Sequence, residues 1–160
     1  GLTHLYENWP APRRRAALLE HGLEASVAGV RWIGRADRID VSPTGVTVVD
    51  YKTSKQPATT AETAESLQLG FYVLAAIADA TVGELGNVDG AEFWYPMAQA
   101  KQVTTRDFDM GRLDEVETRL ASVATGIINE DWTATPGNHC ERCTLRTVCP
   151  AWPEGGPDFV

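Results

Sequence analysis

Two stretches decide the reading of this chain: Gly34-Arg35-Ala36-Asp37-Arg38-Ile39-Asp40 and Val46-Thr47-Val48-Val49-Asp50-Tyr51-Lys52. The second is a β-branched run, the mark of a strand. Side chains alternate along a strand, so Asp50 and Lys52 project to one face. Pro43-Thr44-Gly45 between the stretches is a turn signal, so the strand carrying Asp37 folds back as a hairpin and sets Asp37 beside Asp50. Two acids and a lysine on one patch are too costly to bury without a purpose. Close carboxylates repel each other and favour a hard divalent cation between them, magnesium or manganese. Such a cation binds a phosphate oxygen and lowers the pKa of a bound water. Lysine, a compact point charge, can hold that water or offset charge gathering on phosphorus. Asp-x-Lys also arises by chance as a surface ion pair; Gly34-x-x-Asp37 in the preceding strand weighs against that reading.

A helix follows. Residues 61–80 are amphipathic, with Leu67, Phe71, Leu74 and Ala78 as the apolar stripe. Gln68 and Tyr72 are four residues apart and share another face. Asp-x-Lys, a short loop, and a helix bearing Gln-Leu-x-x-x-Tyr resemble the RecB-type nucleases of the PD-(D/E)XK superfamily, as in RecB and AddB helicase–nucleases. Gly34, Asp37, Asp50, Lys52, Gln68 and Tyr72 carry the resemblance, which covers residues 27–80 and the cysteine tail below.

The resemblance implies roles. Asp37 and Asp50 are expected as ligands of magnesium or manganese, with the backbone carbonyl of Tyr51 as a third. Lys52 is the expected catalytic lysine, and Gln68 and Tyr72 are expected to support the site or touch the DNA backbone from the helix. Arg35, Arg38 and Lys55 are the expected DNA contacts. The family also takes a metal ligand from an upstream helix. His4, Glu7, Glu20, His21 and Glu24 all precede Asp37, and Glu24, just ahead of the first strand, is the choice among them.

The three cysteines lie near the end, as Cys140-x2-Cys143-x5-Cys149-Pro150. Close thiol spacing without an export signal reads as metal or cluster binding before disulfides. In the resembling nucleases this tail gives three ligands of a [4Fe-4S] cluster, and an upstream cysteine gives the fourth. This sequence has no upstream cysteine. Two accounts stay open: a fourth ligand outside this chain, or a Cys3His zinc site completed by His139. Three unligated thiols are the bland alternative.

The expected fold is α/β, a restriction-endonuclease-like core with a mixed central sheet flanked by helices. Residues 1–139 are the expected nuclease core, incomplete at its N-terminal end, and 140–160 the cysteine-rich tail. In detail, residues 16–23 read as a short helix, and 25–33, 35–41 and 46–52 as consecutive strands. Residues 91–97 and 102–108 read as further strands. Residues 112–129 read as a helix with Leu113, Val116, Leu120, Val123 and Ile127 on one stripe. The end beyond Ala151 is rich in Pro and Gly and reads as irregular.

The 160 residues, 43% hydrophobic, suit one soluble globular core. There is no membrane-length apolar run and no secretory pattern, so the expected location is the cytoplasm. The net charge of −8 is unlike the basic footprint of a DNA-binding protein. Basic residues cluster only locally: Arg13-Arg14-Arg15, Arg31 to Arg38, Lys52 with Lys55, and Arg142 with Arg146. The expectation is therefore a module to which a helicase domain or subunit delivers the strand. The function expected is exonuclease-type DNA hydrolysis in end processing and recombinational repair. Its alternatives are a catalytically weak, cluster-bearing DNA-binding module of such a complex, and a small zinc-binding interaction domain.

Overall fold

The computed structural model describes residues 2–11 and 14–152; Arg13 and the Pro/Gly-rich end beyond Trp152 lie outside the described residues. A mixed five-stranded sheet with flanking helices forms the core. Its strands are β1 (Arg15–Val27), β2 (Val30–Val41), β3 (Val46–Tyr51), β4 (Val88–Tyr95) and β5 (Thr104–Asp107), in that spatial order. Neighbours are antiparallel except β3 and β4, which run parallel. A parallel pair needs a crossover. Three helices supply it: α2 (Thr60–Ala64), α3 (Leu67–Ala78) and α4 (Ala80–Gly83). A short α1 (Leu2–Glu7) opens the chain and α5 (Leu113–Ile128) follows β5.

Residues 16–23 form no helix. They belong to β1, paired antiparallel with β2 from Arg15 opposite Val41 to Val27 opposite Val30. Ala, Leu and Glu favour a helix, but pairing and burial of Leu23 override that weak preference. The expected strand 25–33 is interrupted by a two-residue turn, with Ala28 at φ 49° and Gly29 at φ 79°. Two consecutive positive φ angles make the type I′ turn that suits hairpin twist. The predicted second hairpin is present, closed by Ser42–Gly45, with Arg38 opposite Val49.

The predicted helix 61–80 is three helices. Ser66 breaks it by accepting from the Leu69 N–H as N-cap of α3, and Asp79 caps α4 through the Val82 N–H. The buried surface of α3 is Leu69, Phe71, Tyr72, Val73, Ala75 and Ala76, while Ala78 is exposed. The helix is pressed between the sheet and α5, so it buries more than the single stripe expected. A Cβ on Gly70 would stand 2.6 Å from Val116 of α5. On α5 the buried residues are Val116, Leu120 and Ala124, whereas Val123 and Ile127 are exposed. A 3.5-residue spacing drifts off one face of a straight 3.6-residue helix, which explains the misread stripe.

The sheet divides two clusters. On one face, α3 and α5 cover Leu23, Ile39, Val46, Val48, Ala91 and Phe93. On the other, Leu5 and Trp9 pack with Ala11, Val49, Tyr51, Trp94 and Val103. The chain packs as two compact units, residues 1–124 and 125–160.

Candidate active site

The β2–β3 ladder runs from Val41 opposite Val46 to Arg38 opposite Val49, and Asp37 and Asp50 are the next residue on each strand. Asp37 Oδ2 accepts from the Tyr51 N–H at 2.7 Å, which pins the carboxylate to the end of β3. Alternation along β2 breaks here: Ala36 and Ile39 both bury in the helix-side cluster. On β1 the residue between the pairs Leu19–Arg38 and His21–Ala36 is Glu20, at φ 50°. Asp37 keeps the alternation that runs from Ile39, on the helix-side face that also carries Asp50.

Asp50 is 5% exposed. Its Oδ1 accepts from Gln68 Nε2 at 2.9 Å, and Lys52 Nζ lies 2.7 Å from Oδ2. Lys52 also donates to Gln68 Oε1 at 2.7 Å. The Gln68 amide gives its second proton to the Tyr72 hydroxyl at 3.1 Å, and that hydroxyl donates to the Arg35 carbonyl at 2.9 Å. Gln68 and Tyr72 are one turn apart on α3, so one helix face clamps acid, lysine and β2 together. Gly34 makes the clamp possible. A Cβ there would stand 2.7 Å from Phe71 and 2.9 Å from Tyr72, both rings held in the core.

Burial raises the Asp50 pKa, the Lys52 pair pulls it down, and the Asp37 charge raises it again. Burial likewise raises the Tyr72 hydroxyl, aided by both acids, so it stays a protonated donor at neutral pH. Asp50 Oδ2 is buried, and its partner is the Lys52 ammonium. A buried carboxylate oxygen whose partner is a lysine ammonium, beside a second carboxylate, suits a hard cation that keeps other positions for water and phosphate. Among the described residues no three His, Cys, Asp or Glu side chains converge as a complete cage.

Phe93 lies on the expected strand 91–97 and bears no sequence mark of a site residue. In the parallel register it neighbours Asp50, and its ring lies 4.3 Å from Lys52 Nζ. Nothing local marks it, because the pairing of β3 with β4 is not written in either strand alone. Lys52 also lines an open groove of about 690 Å3 with Thr53, Ser54, Gln56, Glu62 and Tyr95.

Two expected site residues are elsewhere or differently placed. Arg38 points to the opposite face: its side chain is 11% exposed, paired with buried Asp40 and stacked 4.3 Å from the Trp9 ring. A guanidinium so enclosed is withdrawn from phosphate, which corrects its reading as a DNA contact. Glu24 lies within β1, not before it. Its neighbour Leu23 faces the core, so Glu24 faces away and pairs with Arg31 at 3.0 Å on the exposed side. That removes it from the metal site. Arg35 and Lys55 are exposed. Of the other upstream candidates, His21 pairs with Asp79 at 3.1 Å. Glu7 and Glu20 are exposed. His4 Nδ1 meets Asn8 at 3.2 Å, while its Nε2 is buried without a partner.

In the second unit, two single-turn 3₁₀ helices, Asn138–Arg142 and Arg146–Val148, carry the tail. Cys140, Cys143 and Cys149 form no disulfide. Together with His139, Arg146 and Trp152 they line one cavity of about 250 Å3.

No helix among the described residues is long and apolar enough to cross a membrane. No curated protein matches the chain. The crystal structure of SSO0001 is similar over 94% of this chain, at 18% identity and a TM-score of 0.44, and the chain spans 65% of that chain's length. The model of the PD-(D/E)XK nuclease superfamily matches residues 2–150, and the chain belongs to that superfamily.

Proposed function

We propose that this chain is a magnesium- or manganese-dependent deoxyribonuclease module of exonuclease type, working beside a helicase in DNA end processing and repair. The observation that carries the reading is the Asp37–Asp50–Lys52–Gln68 constellation, with a buried carboxylate oxygen served by the lysine alone. Asp37 and Asp50 would hold the cation, with the Tyr51 carbonyl beside them. The bound cation would polarise a phosphate oxygen and make hydroxide available near neutral pH. Lys52 offsets negative charge growing on phosphorus, and Gln68 fixes where its ammonium stands. Tyr72 fastens Gln68 to β2. Arg35 and Lys55, both exposed, would meet the DNA backbone.

The cysteine tail supports a [4Fe-4S] cluster whose fourth ligand lies outside this chain; zinc held with His139 is the competing occupant. Elemental analysis of the anaerobically purified intact protein decides: iron and sulfide near four each support the cluster, and stoichiometric zinc overturns it.

The cleavage test uses linear DNA and covalently closed circles with magnesium, manganese or chelator. Cation-dependent loss of linear DNA alone supports the exonuclease reading. Cutting of closed circles overturns the exonuclease assignment, and cutting in chelator overturns the metal.

A further inference from the structure

We propose that Phe93 is a positioning residue for Lys52, holding the ammonium on its ring face so that the lysine stays at the reacting groups when Asp50 is engaged by a cation. The inference rests on the reading of Lys52 as the catalytic lysine. Lys52 has three neighbours: Asp50 Oδ2 at 2.7 Å, Gln68 Oε1 at 2.7 Å and the Phe93 ring at 4.3 Å. Of these, Asp50 Oδ2 is the oxygen a divalent cation would claim. Two cations cannot share one carboxylate oxygen at that range without strong repulsion. Gln68 is neutral and its remaining protons are committed to Asp50 and Tyr72. The ring is the neighbour that attracts a positive charge and has no competing use in the chemistry.

The fold makes the seat rigid. Phe93 is 7% exposed, sits next to Asp50 in the parallel β3–β4 register, and meets Tyr95 edge-on at 6.4 Å. Lys52 begins where β3 ends, and its backbone N–H donates to the Trp94 carbonyl at 2.8 Å. The stem is therefore anchored to the same strand as the ring.

The first readout needs no cleavage. The chain has only three lysines, and Lys55 and Lys101 are exposed. With 13C-labelled lysine, the Cε protons of Lys52 should be displaced upfield by the ring. Phe93→Leu should return them to the position of the other two, and Phe93→Tyr should keep them displaced. The second readout is steady-state cleavage by the intact protein. Phe93→Leu should lower kcat about threefold, as expected for one partly exposed cation–π contact, with KM unchanged. Phe93→Tyr should restore kcat. In a Lys52→Ala background, Phe93→Leu should have no further effect on kcat. Melting temperatures of all variants report folding independently.

Full kcat in a folded Phe93→Leu protein overturns the proposal, as does failure of Phe93→Tyr to keep the displaced signal. A loss of kcat that is undiminished in the Lys52→Ala background also overturns it. If Lys52→Ala itself cleaves normally, the reading of Lys52 fails instead, and the lysine signal still reports whether the ring holds it.

Discussion

The two faces of one sheet carry charged residues that are neighbours in sequence and opposites in behaviour. On the helix-covered face, Asp37, Asp50 and Lys52 form a small group around Gln68, with Lys52 30% exposed and holding one Asp50 oxygen. On the other face, Arg38 lies between the Trp9 and Trp94 rings and neutralises Asp40, which is fully buried. Arg14 is paired with Glu92 at 2.7 Å, and Glu92 also accepts from the Trp94 indole. One face keeps charge within reach of a ligand; the other consumes it internally, apart from an Asp40 oxygen without a hydrogen bond. Asp37 and Arg38 are adjacent, as are Asp50 and Tyr51, so pleat alone separates chemistry from scaffold.

The sharpest separation should come from Asp50→Ala. Removing this carboxylate should lower cation-dependent cleavage about a thousandfold or more, the scale of losing a Lewis acid. Stability should barely suffer, because Lys52 keeps Gln68, the Phe93 ring and solvent. Cleavage rates alongside denaturant melts measure both. Undiminished cleavage would remove Asp50 from the site, and a large loss of stability would erase the contrast between the faces.

Arg38→Met should do the reverse. It strands Asp40 in the interior, and breaking a buried pair in this way costs about 3–5 kcal/mol. Arg35→Ala, only three positions away but exposed, should change stability by about 0.5 kcal/mol or less. It should instead weaken DNA binding at all sequences and reduce the salt dependence by about one counterion. Urea melts and salt-dependent binding titrations of the two variants test the pair. A stable Arg38→Met protein that has lost DNA binding would restore Arg38 as a contact.

Local spacing wrote part of this arrangement plainly. The turn at Pro43-Thr44-Gly45 fixes the second hairpin, and Gln68 and Tyr72 share a helix face because they are one turn apart. Thr59-x-x-Glu62 spells the capping box that starts α2, and Asp79 stands where α4 is capped. What stayed hidden depends on contacts distant in sequence. The first strand looks helical until β2 pairs with it. Phe93 is invisible as a site residue until β4 is laid parallel to β3. The places of Arg38 and Glu24 follow from alternation once the buried neighbours Ile39 and Leu23 are known, and that burial depends on how the strands pair.

The smallest effect expected lies at a third kind of charged contact, neither held ready nor enclosed. Asp79 caps α4 through the Val82 N–H at 3.0 Å and meets His21 of β1 at 3.1 Å, with side-chain exposures of 19% and 22%. Burial alone would raise the Asp79 carboxyl, but the Val82 N–H and His21 outweigh it and hold it below its ordinary 3.8. A carboxylate whose folded pKa is depressed adds stability that is fully present above the ordinary value and is lost as pH falls through the folded one. Asp79→Asn keeps an N-cap acceptor and removes the charge. The variant should therefore be less stable at neutral pH by about 1 kcal/mol or less, the worth of a partly exposed pair. The difference should vanish at about pH 2, where both proteins carry a neutral side chain there. Urea midpoints at the two pH values measure it. A deficit that persists in acid would mean that the asparagine disturbs the cap itself, and that the contact between β1 and the helices is geometric rather than electrostatic.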